Sequence, residues 1–402
     1  MRTHSRIRSR FLTHCSLLAL ALAPALGAQA PAWPAFTHAF DSYALGDSVV
    51  GASVALVQDG RITLHHEYGF ADRALHQRTD DRTIYHWGSI TKTLTAVTVM
   101  QLRDRGLLSL DDPVTRWIPE LRQVHDTFGS IDSITIRMLL SHSSGFQDPT
   151  WPWTQGKPWE PFEPTTWQQL VAMMPYEEVH FKPGSKYSYS NPAFIYLARI
   201  VELISGDPFE TYLQKNVWTP LGLTHSYFGT TPYWLAADRS DNYTVKRDSA
   251  GVEQVFTNGR DFNPGITRPN GAWNAPLSDL AAWMGFLAGR AGGDSTLART
   301  YATILPHADL VEMWRPRYDA DAPGMPPEKV GMSFFIFPRG ADTLVGHTGE
   351  QAGFRSFMFI NPRTGTGVVG VFNTRNDAES DKSSTGFNAI VEQAIGLLRR
   401  GR

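Results

Sequence analysis

The sequence predicts an α+β fold, in which one antiparallel sheet is assembled from both ends of the chain and flanked by helices, with a mostly helical second part between them. Three observations predict it. Alternating apolar strands bounded by turn residues lie near both termini; the stretch from about 107 to 330 reads as helices joined by loops rich in Pro, Gly and Trp; and each end also carries an apolar stripe at helical spacing. A ligand is expected in the cleft between the two parts.

Residues 1–30 read as a secretory signal peptide. Arg2, Arg6, Arg8 and Arg10 stand without an acid, an apolar run follows from Leu17 to Leu26, and Ala28-Gln29-Ala30 supplies small residues for cleavage. The run is too short to span a bilayer comfortably. Cleavage near Ala30, a periplasmic or secreted location and no stable membrane anchor are therefore expected. Cys15, the one cysteine of the chain, lies in this segment, so disulfides would have no part in the remainder and its stability would rest on an ordinary core. Residues 31–402 are long enough for that, since about three quarters of the unfolded surface can be buried at this size. Loss of four arginines takes the balance of 37 basic against 39 acidic residues to 33 against 39. A mildly acidic chain with no basic stripe, repeat or low-complexity tract gives no support to nucleic-acid binding.

The α/β part is placed at about 31–106 and 331–402, the helical part at about 107–330. A first helix, Ala35 to Leu45, carries Phe36, Phe40 and Tyr43 on one side. Strands Ala52 to Val57 and Arg61 to His65 flank Asp59-Gly60, a hairpin dipeptide. A helix beginning at or just before Ser89 is apolar nearly all round (Ile90, Leu94, Val97, Val99, Met100, Leu102), which predicts burial, and Gly106 stops it. In the middle, helices are expected at Trp167 to Met174, Pro192 to Ser205 and Leu277 to Leu287. Strands return at Gly331 to Phe337, Thr343 to His347, Phe354 to Ile360 and Gly367 to Phe372, the last two joined by the turn-forming Asn361-Pro362-Arg363-Thr364-Gly365. A closing helix sets Phe387, Ile390, Val391, Ala394, Ile395 and Leu398 on one stripe.

Ser89-Ile90-Thr91-Lys92 is the stretch with chemical promise. Positions i and i+3 of a helix are neighbours, so hydroxyl and amine share a face as nucleophile and base. The helix start would offer unpaired N–H groups to a developing oxyanion. Two further motifs accompany it: Tyr189-Ser190-Asn191, just ahead of the Pro192 helix and after Lys182-Pro183-Gly184, and His347-Thr348-Gly349, ending a short strand and followed by Glu350 and Gly353-Phe354. Each has a plainer reading: Ser89 as a helix cap with a solvated Lys92, Tyr189 as a core tyrosine, His347 as a strand-end histidine. His65-His66-Glu67 does not suit chelation, because neighbouring strand residues point to opposite faces. Without His-Glu-x-x-His, Gly-x-Ser-x-Gly or a phosphate loop, no metal and no cofactor is implied.

The ordered trio resembles the serine β-lactamase and D-alanyl-D-alanine carboxypeptidase family, including class C β-lactamases and related esterases and D-aminopeptidases. Ile134 to Gly145 and Leu107 to Pro113 also resemble family sequence, and the likeness runs from about Phe36 to Leu398. It implies a β-lactamase/D,D-peptidase-like fold and a serine hydrolase working through an acyl-enzyme, with a carbonyl ester or amide as its small-molecule or peptide partner. Ser89 would be the nucleophile, Lys92 its base if desolvation or a neighbouring cation lowered its pKa, and Tyr189 a partner in proton transfer. Asn191 would hold Lys92 or the substrate amide; His347, Thr348, Gly349 and Glu350 would line the substrate site, with the amides of Ser89 and Glu350 as oxyanion donors. His142 and Ser143-Ser144-Gly145 would be structural.

Two departures bear on substrate. Position 347 is His where class C β-lactamases usually carry Lys, so the permanent cation that attracts a β-lactam or C-terminal carboxylate is missing. Glu350 shares a strand face with Thr348 and would repel anions and welcome an amine. An ester, or an amide with a free ammonium, is therefore expected ahead of a penicillin or a D-alanine-terminated peptide. The alternatives are a true β-lactamase or D,D-carboxypeptidase, and, from another class, a catalytically silent wall-fragment-binding or assembly protein. The aromatic loop of Trp151, Trp153, Trp159, Phe162 and Trp167 reads as an anchor more than a lid over an acyl group. Oligomeric state leaves no mark in the sequence.

Overall fold

The computed structural model describes residues 32–146, 164–320 and 328–398. The signal-peptide reading and Trp151, Trp153, Trp159 and Phe162 fall outside the described residues. Nine antiparallel strands form the main sheet. In their order across it they are Gln77–Arg78, Arg61–Asp72, Gly51–Gln58, Thr366–Phe372, Phe354–Asn361, Asp342–Gln351, Phe335–Arg339, Lys329–Val330 and Tyr318–Asp319. The first three come from the front of the chain and the next four from its end, the arrangement expected from the sequence. The join is the pairing of Gly51–Gln58 with Thr366–Phe372, from Ala52 opposite Phe372 to Gln58 opposite Thr366. At the Asp59-Gly60 turn both residues have positive φ, +50° and +78°, which matches the twist of the flanking strands.

Strand periodicity of two divides the core. Val54, Leu56, Phe357, Phe359, Val368 and Phe372 face the two terminal helices, Trp33–Gly46 and Ser380–Leu397, and pack there with Phe36, Phe40, Phe387, Ile390 and Val391. Ala55, Val57, Met358, Ile360, Val369 and Val371 face the other way, onto the larger core that holds the helix Thr91–Asp104 and the helices of the middle. The Ser89 helix is thus buried on all sides, as its all-round apolar pattern requires. Among the described residues no helix is long and apolar enough to cross a membrane.

Three expectations change. The strand expected over Gly331 to Phe337 begins only at Phe335; residues 331–334 form the hairpin turn between Lys329–Val330 and Phe335–Arg339, where Ser333 takes φ +68°. The strand expected to end at His347 runs on to Gln351, because its pairing with Phe354–Asn361 continues to the Gln351–Phe354 hairpin end. The middle also contains strands that helical reading missed. Asn242–Arg247 and Glu253–Gly259 form a hairpin that docks in parallel on Thr374–Asn376, and Trp273–Pro276 pairs with Ile84–His86 just before Ser89. Trp167 begins its helix behind a Thr166 and Gln169 capping box and packs on Tyr196 at 6.4 Å between ring centroids, in keeping with an anchoring role.

Candidate active site

Ser89 sits in a single 3₁₀ turn, Gly88–Ile90, that runs straight into the helix Thr91–Asp104. Gly88 makes the turn possible: its φ is +53°, and a side chain there would come within 2.7 Å of the Glu350 amide nitrogen. Thr91 Oγ1 locks it by donating to Gly88 O at 2.6 Å and accepting the Trp273 amide at 3.0 Å. Lys92, one turn on, is 0% exposed. Its Nζ donates to Ser89 Oγ at 3.0 Å, Asn191 Oδ1 at 2.8 Å and the carbonyl of Asn270 at 2.7 Å.

Tyr189 and Asn191 stand at the start of the helix Asn191–Ser205. Ser190 caps it by accepting the Ala193 amide at 3.2 Å, and Pro192 occupies the first turn. The Tyr189 ring lies 4.8 Å from Lys92 Nζ and stacks on His142 at 4.5 Å with 18° between planes. His142 Nδ1 in turn accepts the Ser190 amide at 3.0 Å, so this imidazole supports the Tyr189 segment through ring face and edge together.

The third wall is the strand Asp342–Gln351. Gly349 lies so close to the Ser89 turn that a Cβ there would be 2.0 Å from Trp87 O, and Ser356 on the next strand bridges the two by donating to Trp87 O at 2.9 Å, with Gly349 O at 3.5 Å. These contacts bring the Glu350 amide beside the 3₁₀ turn. Ser89, Tyr189, Asn191, His347, Thr348, Gly349 and Glu350 all line one cavity of about 420 Å³, with Lys92 beneath it. All eight residues singled out in the sequence therefore converge. Among the described residues no three His, Cys, Asp or Glu side chains form a group able to hold a metal.

Glu350 requires a correction. It lines the cavity, but its carboxylate is not free to draw in an amine: Oε2 accepts from Arg355 Nε at 2.8 Å and Oε1 lies 3.5 Å from Arg375, itself paired with Asp377 at 2.7 Å. Arg355 is opposite Glu350 in the hairpin register and also donates to Ser383 and Ser384 of the closing helix. Strand parity puts Glu350 on the right face, yet says nothing of cations arriving from the neighbouring strand and from Thr374–Asn376. The rim is charge-balanced.

His347 is buried and neutral. Burial first, and then the Lys92 ammonium, push its imidazole down to about 3, while a hydrogen bond between Nδ1 and Thr348 O works weakly the other way. His142 is pushed well below the usual histidine range by burial, then Lys92, then His347. His86, behind the Ser89 turn, is pushed down to about 4 by burial and by Arg239. Unfolded histidines take up protons at about pH 6.5, so below that pH the unfolded chain binds more protons than the native one. The stability these groups contribute is complete above pH 6.5 and is lost as pH falls toward 4 and 3. Thermal midpoints recorded between pH 7 and 4.5 are expected to fall, and to fall less steeply in His347→Asn; equal slopes would contradict this assignment.

Asn270 was missed by sequence reading. Its main-chain carbonyl takes a Lys92 proton and its Nδ2 lies 3.2 Å from Asn191 Oδ1. A carbonyl acceptor has no residue signature. Arg355 and Ser356 follow Gly353-Phe354, which the sequence reading noted after Glu350 without the partners that this stretch brings.

A family model described as Beta-lactamase matches residues 36–393. The protein flp of Staphylococcus aureus strain COL is 24% identical over 338 residues, covering 82% of this chain and 60% of that protein. The chain thus spans about 60% of the length of such curated relatives. Among solved structures, a D-stereospecific amidohydrolase from Streptomyces sp. is 26% identical with a TM-score of 0.69, covering 90% of this chain and 98% of that one. A D-amino acid amidase from Ochrobactrum anthropi SV3 reaches a TM-score of 0.72 at 23% identity, over 91% and 98% of the two chains, a likeness of fold.

Proposed function

The chain belongs to the beta-lactamase family, and from that premise we propose an exported serine hydrolase that cleaves ester or amide bonds through an acyl-enzyme on Ser89. The observation that carries this reading is Lys92 Nζ at 3.0 Å from Ser89 Oγ beneath the cavity. In the form that reacts Lys92 is the neutral amine, donating to Asn191 Oδ1 and Asn270 O and accepting from the Ser89 hydroxyl; Ser89 Oγ attacks the substrate carbonyl carbon while its proton passes to that amine, with Tyr189 sharing in the transfer. Protonated Lys92 then has three N–H bonds for three acceptors, so the geometry stabilises the product of the transfer. The carbonyl oxygen takes its negative charge toward the amides of Ser89 and Glu350. Collapse expels the alcohol or amine with that proton, and water attacks the ester by the same route in reverse to release the acid.

Neutral His347 and the balanced Glu350, Arg355 and Arg375 rim favour substrates without a carboxylate at that end of the cavity. The likeness to the D-stereospecific amidohydrolase from Streptomyces sp. supports the amide branch. Side-by-side hydrolysis of p-nitrophenyl butyrate, a D-amino-acid anilide, nitrocefin and a D-Ala-D-Ala peptide tests the preference: ester or anilide is expected to lead. Glu350→Ser, which releases Arg355, is expected to raise kcat/KM for the two anionic substrates by about 10-fold, the worth of one unscreened charge contact. Strong wild-type carboxypeptidase activity that Glu350→Ser weakens would overturn the substrate assignment while leaving the reaction class intact.

A further inference from the structure

Behind the oxyanion side of the site lies a buried polar link that the reaction itself does not use. His86, three residues before Ser89, is fully buried on the strand Ile84–His86. Its Nδ1 is 3.0 Å from Asn274 Oδ1 and its Nε2 is 3.2 Å from Oε1 of Gln351, the residue after Glu350. Gln351 also lies against Gly271, where a Cβ would come within 2.3 Å of its amide oxygen. Gly271 follows Asn270, whose carbonyl holds Lys92. One side chain therefore touches the segment leading to Ser89, the strand carrying Glu350 and the short helix Arg268–Gly271.

The hydrogen-bond inventory gives this link a direction. A neutral imidazole has one N–H, so it can donate to only one of the two amide groups facing it. The Asn274 NH₂ is directed at Tyr227 O and Ala272 O, at 3.4 and 3.3 Å, which turns its oxygen toward the ring. In the structure the ring nitrogens face Asn274 Oδ1 and Gln351 Oε1; with Nδ1–H donating to Asn274, Nε2 accepts once the Gln351 amide is turned to present its NH₂. Turning Gln351 gives up only the 3.5 Å contact of its amide with Thr267 Oγ1. On the other side of the same backbone pair, Ser356, which stands opposite Gly349 in the strand register, donates its hydroxyl to Trp87 O at 2.9 Å. The two donors of the oxyanion site are thus held between two clamps, one hydroxyl and one imidazole-amide.

We infer that His86 and Gln351 are a positioning pair that fixes the Glu350 amide relative to the Ser89 turn, an inference that rests on the serine-hydrolase reading of the same site. Neither touches substrate; both act through the backbone of the residues they adjoin. A donor moved by even a fraction of an ångström loses transition-state charge stabilisation while ground-state binding is spared.

The test is a double-mutant cycle of His86→Phe and Gln351→Leu on the full chain, with active sites counted by fluorophosphonate titration. Each single variant is expected to lower kcat on p-nitrophenyl butyrate by about 10-fold to 100-fold with KM within about 3-fold, and the double variant to lose no more than the worse single one. His86→Gln, which can still donate to Asn274 and accept from Gln351, is expected to restore kcat to within about 3-fold of wild type. Unchanged kcat per titrated site, or losses that multiply in the double variant, would overturn the inference. If His86→Phe does not fold, kcat of Gln351→Leu decides it alone. Wild type labelled at Ser89 with unaffected variants defeats only the positioning pair; wild type that takes no label defeats the hydrolase reading and the pair with it.

Discussion

Replacing Lys92 with methionine is expected to slow acylation of Ser89 by about 10³-fold or more, since a serine hydroxyl without a base is a poor nucleophile. Methionine matches the length of the buried stem and removes three donated bonds together, those to Ser89 Oγ, Asn191 Oδ1 and Asn270 O. Loss of the buried charge and of its partners oppose one another, so the change in folding free energy is expected to stay within about 3 kcal/mol. The rate of fluorophosphonate labelling, with circular dichroism as the check on folding, measures the effect. Labelling at the wild-type rate would remove Lys92 from the mechanism.

Gly349→Ala is expected to have the second largest effect. The new methyl would stand 2.0 Å from Trp87 O and 2.5 Å from Ser356 Oγ, distances that no Cβ tolerates, so strand and Ser89 turn must part. On the proposed mechanism, parting them pulls the Glu350 amide away from the developing oxyanion, and a drop in kcat of about 10²-fold to 10³-fold is expected for loss of one such donor. The same strain is expected to lower stability by about 1 to 3 kcal/mol. Steady-state kinetics on p-nitrophenyl butyrate together with urea unfolding reads both. A variant with wild-type kcat would show that this close approach is not what sets the donor in place.

Much of the architecture is legible because burial leaves periodic marks. The Thr91–Asp104 helix is apolar nearly all round and is buried from Thr91 to Leu102; the alternating strands at both ends of the chain meet as Ala52 opposite Phe372. Ser89 and Lys92 are legible as a pair because three residues of helix or 3₁₀ turn bring any such side chains together. Partners from distant segments are another matter. Arg355 neutralises Glu350 only because a hairpin places them opposite each other, and Arg375 arrives from a strand that docks on Asn242–Arg247. Asn270 acts through its carbonyl and Ser356 through a bridge between two backbones, functions that any residue, or any small hydroxyl, could supply. The strand Trp273–Pro276 was hidden for a similar reason: four residues ending in proline are too short to show a period, and it is a strand because it pairs with both Ile84–His86 and Tyr227–Phe228.

The proposed reaction depends on covalent chemistry at the Ser89 hydroxyl. Acid-quenching the enzyme during turnover of p-nitrophenyl butyrate and mapping the adduct by peptide mass spectrometry tests that most directly. The prediction is a butyryl group on the peptide containing Ser89, absent in Ser89→Ala along with turnover. An adduct on another residue, or full turnover by Ser89→Ala, would contradict it.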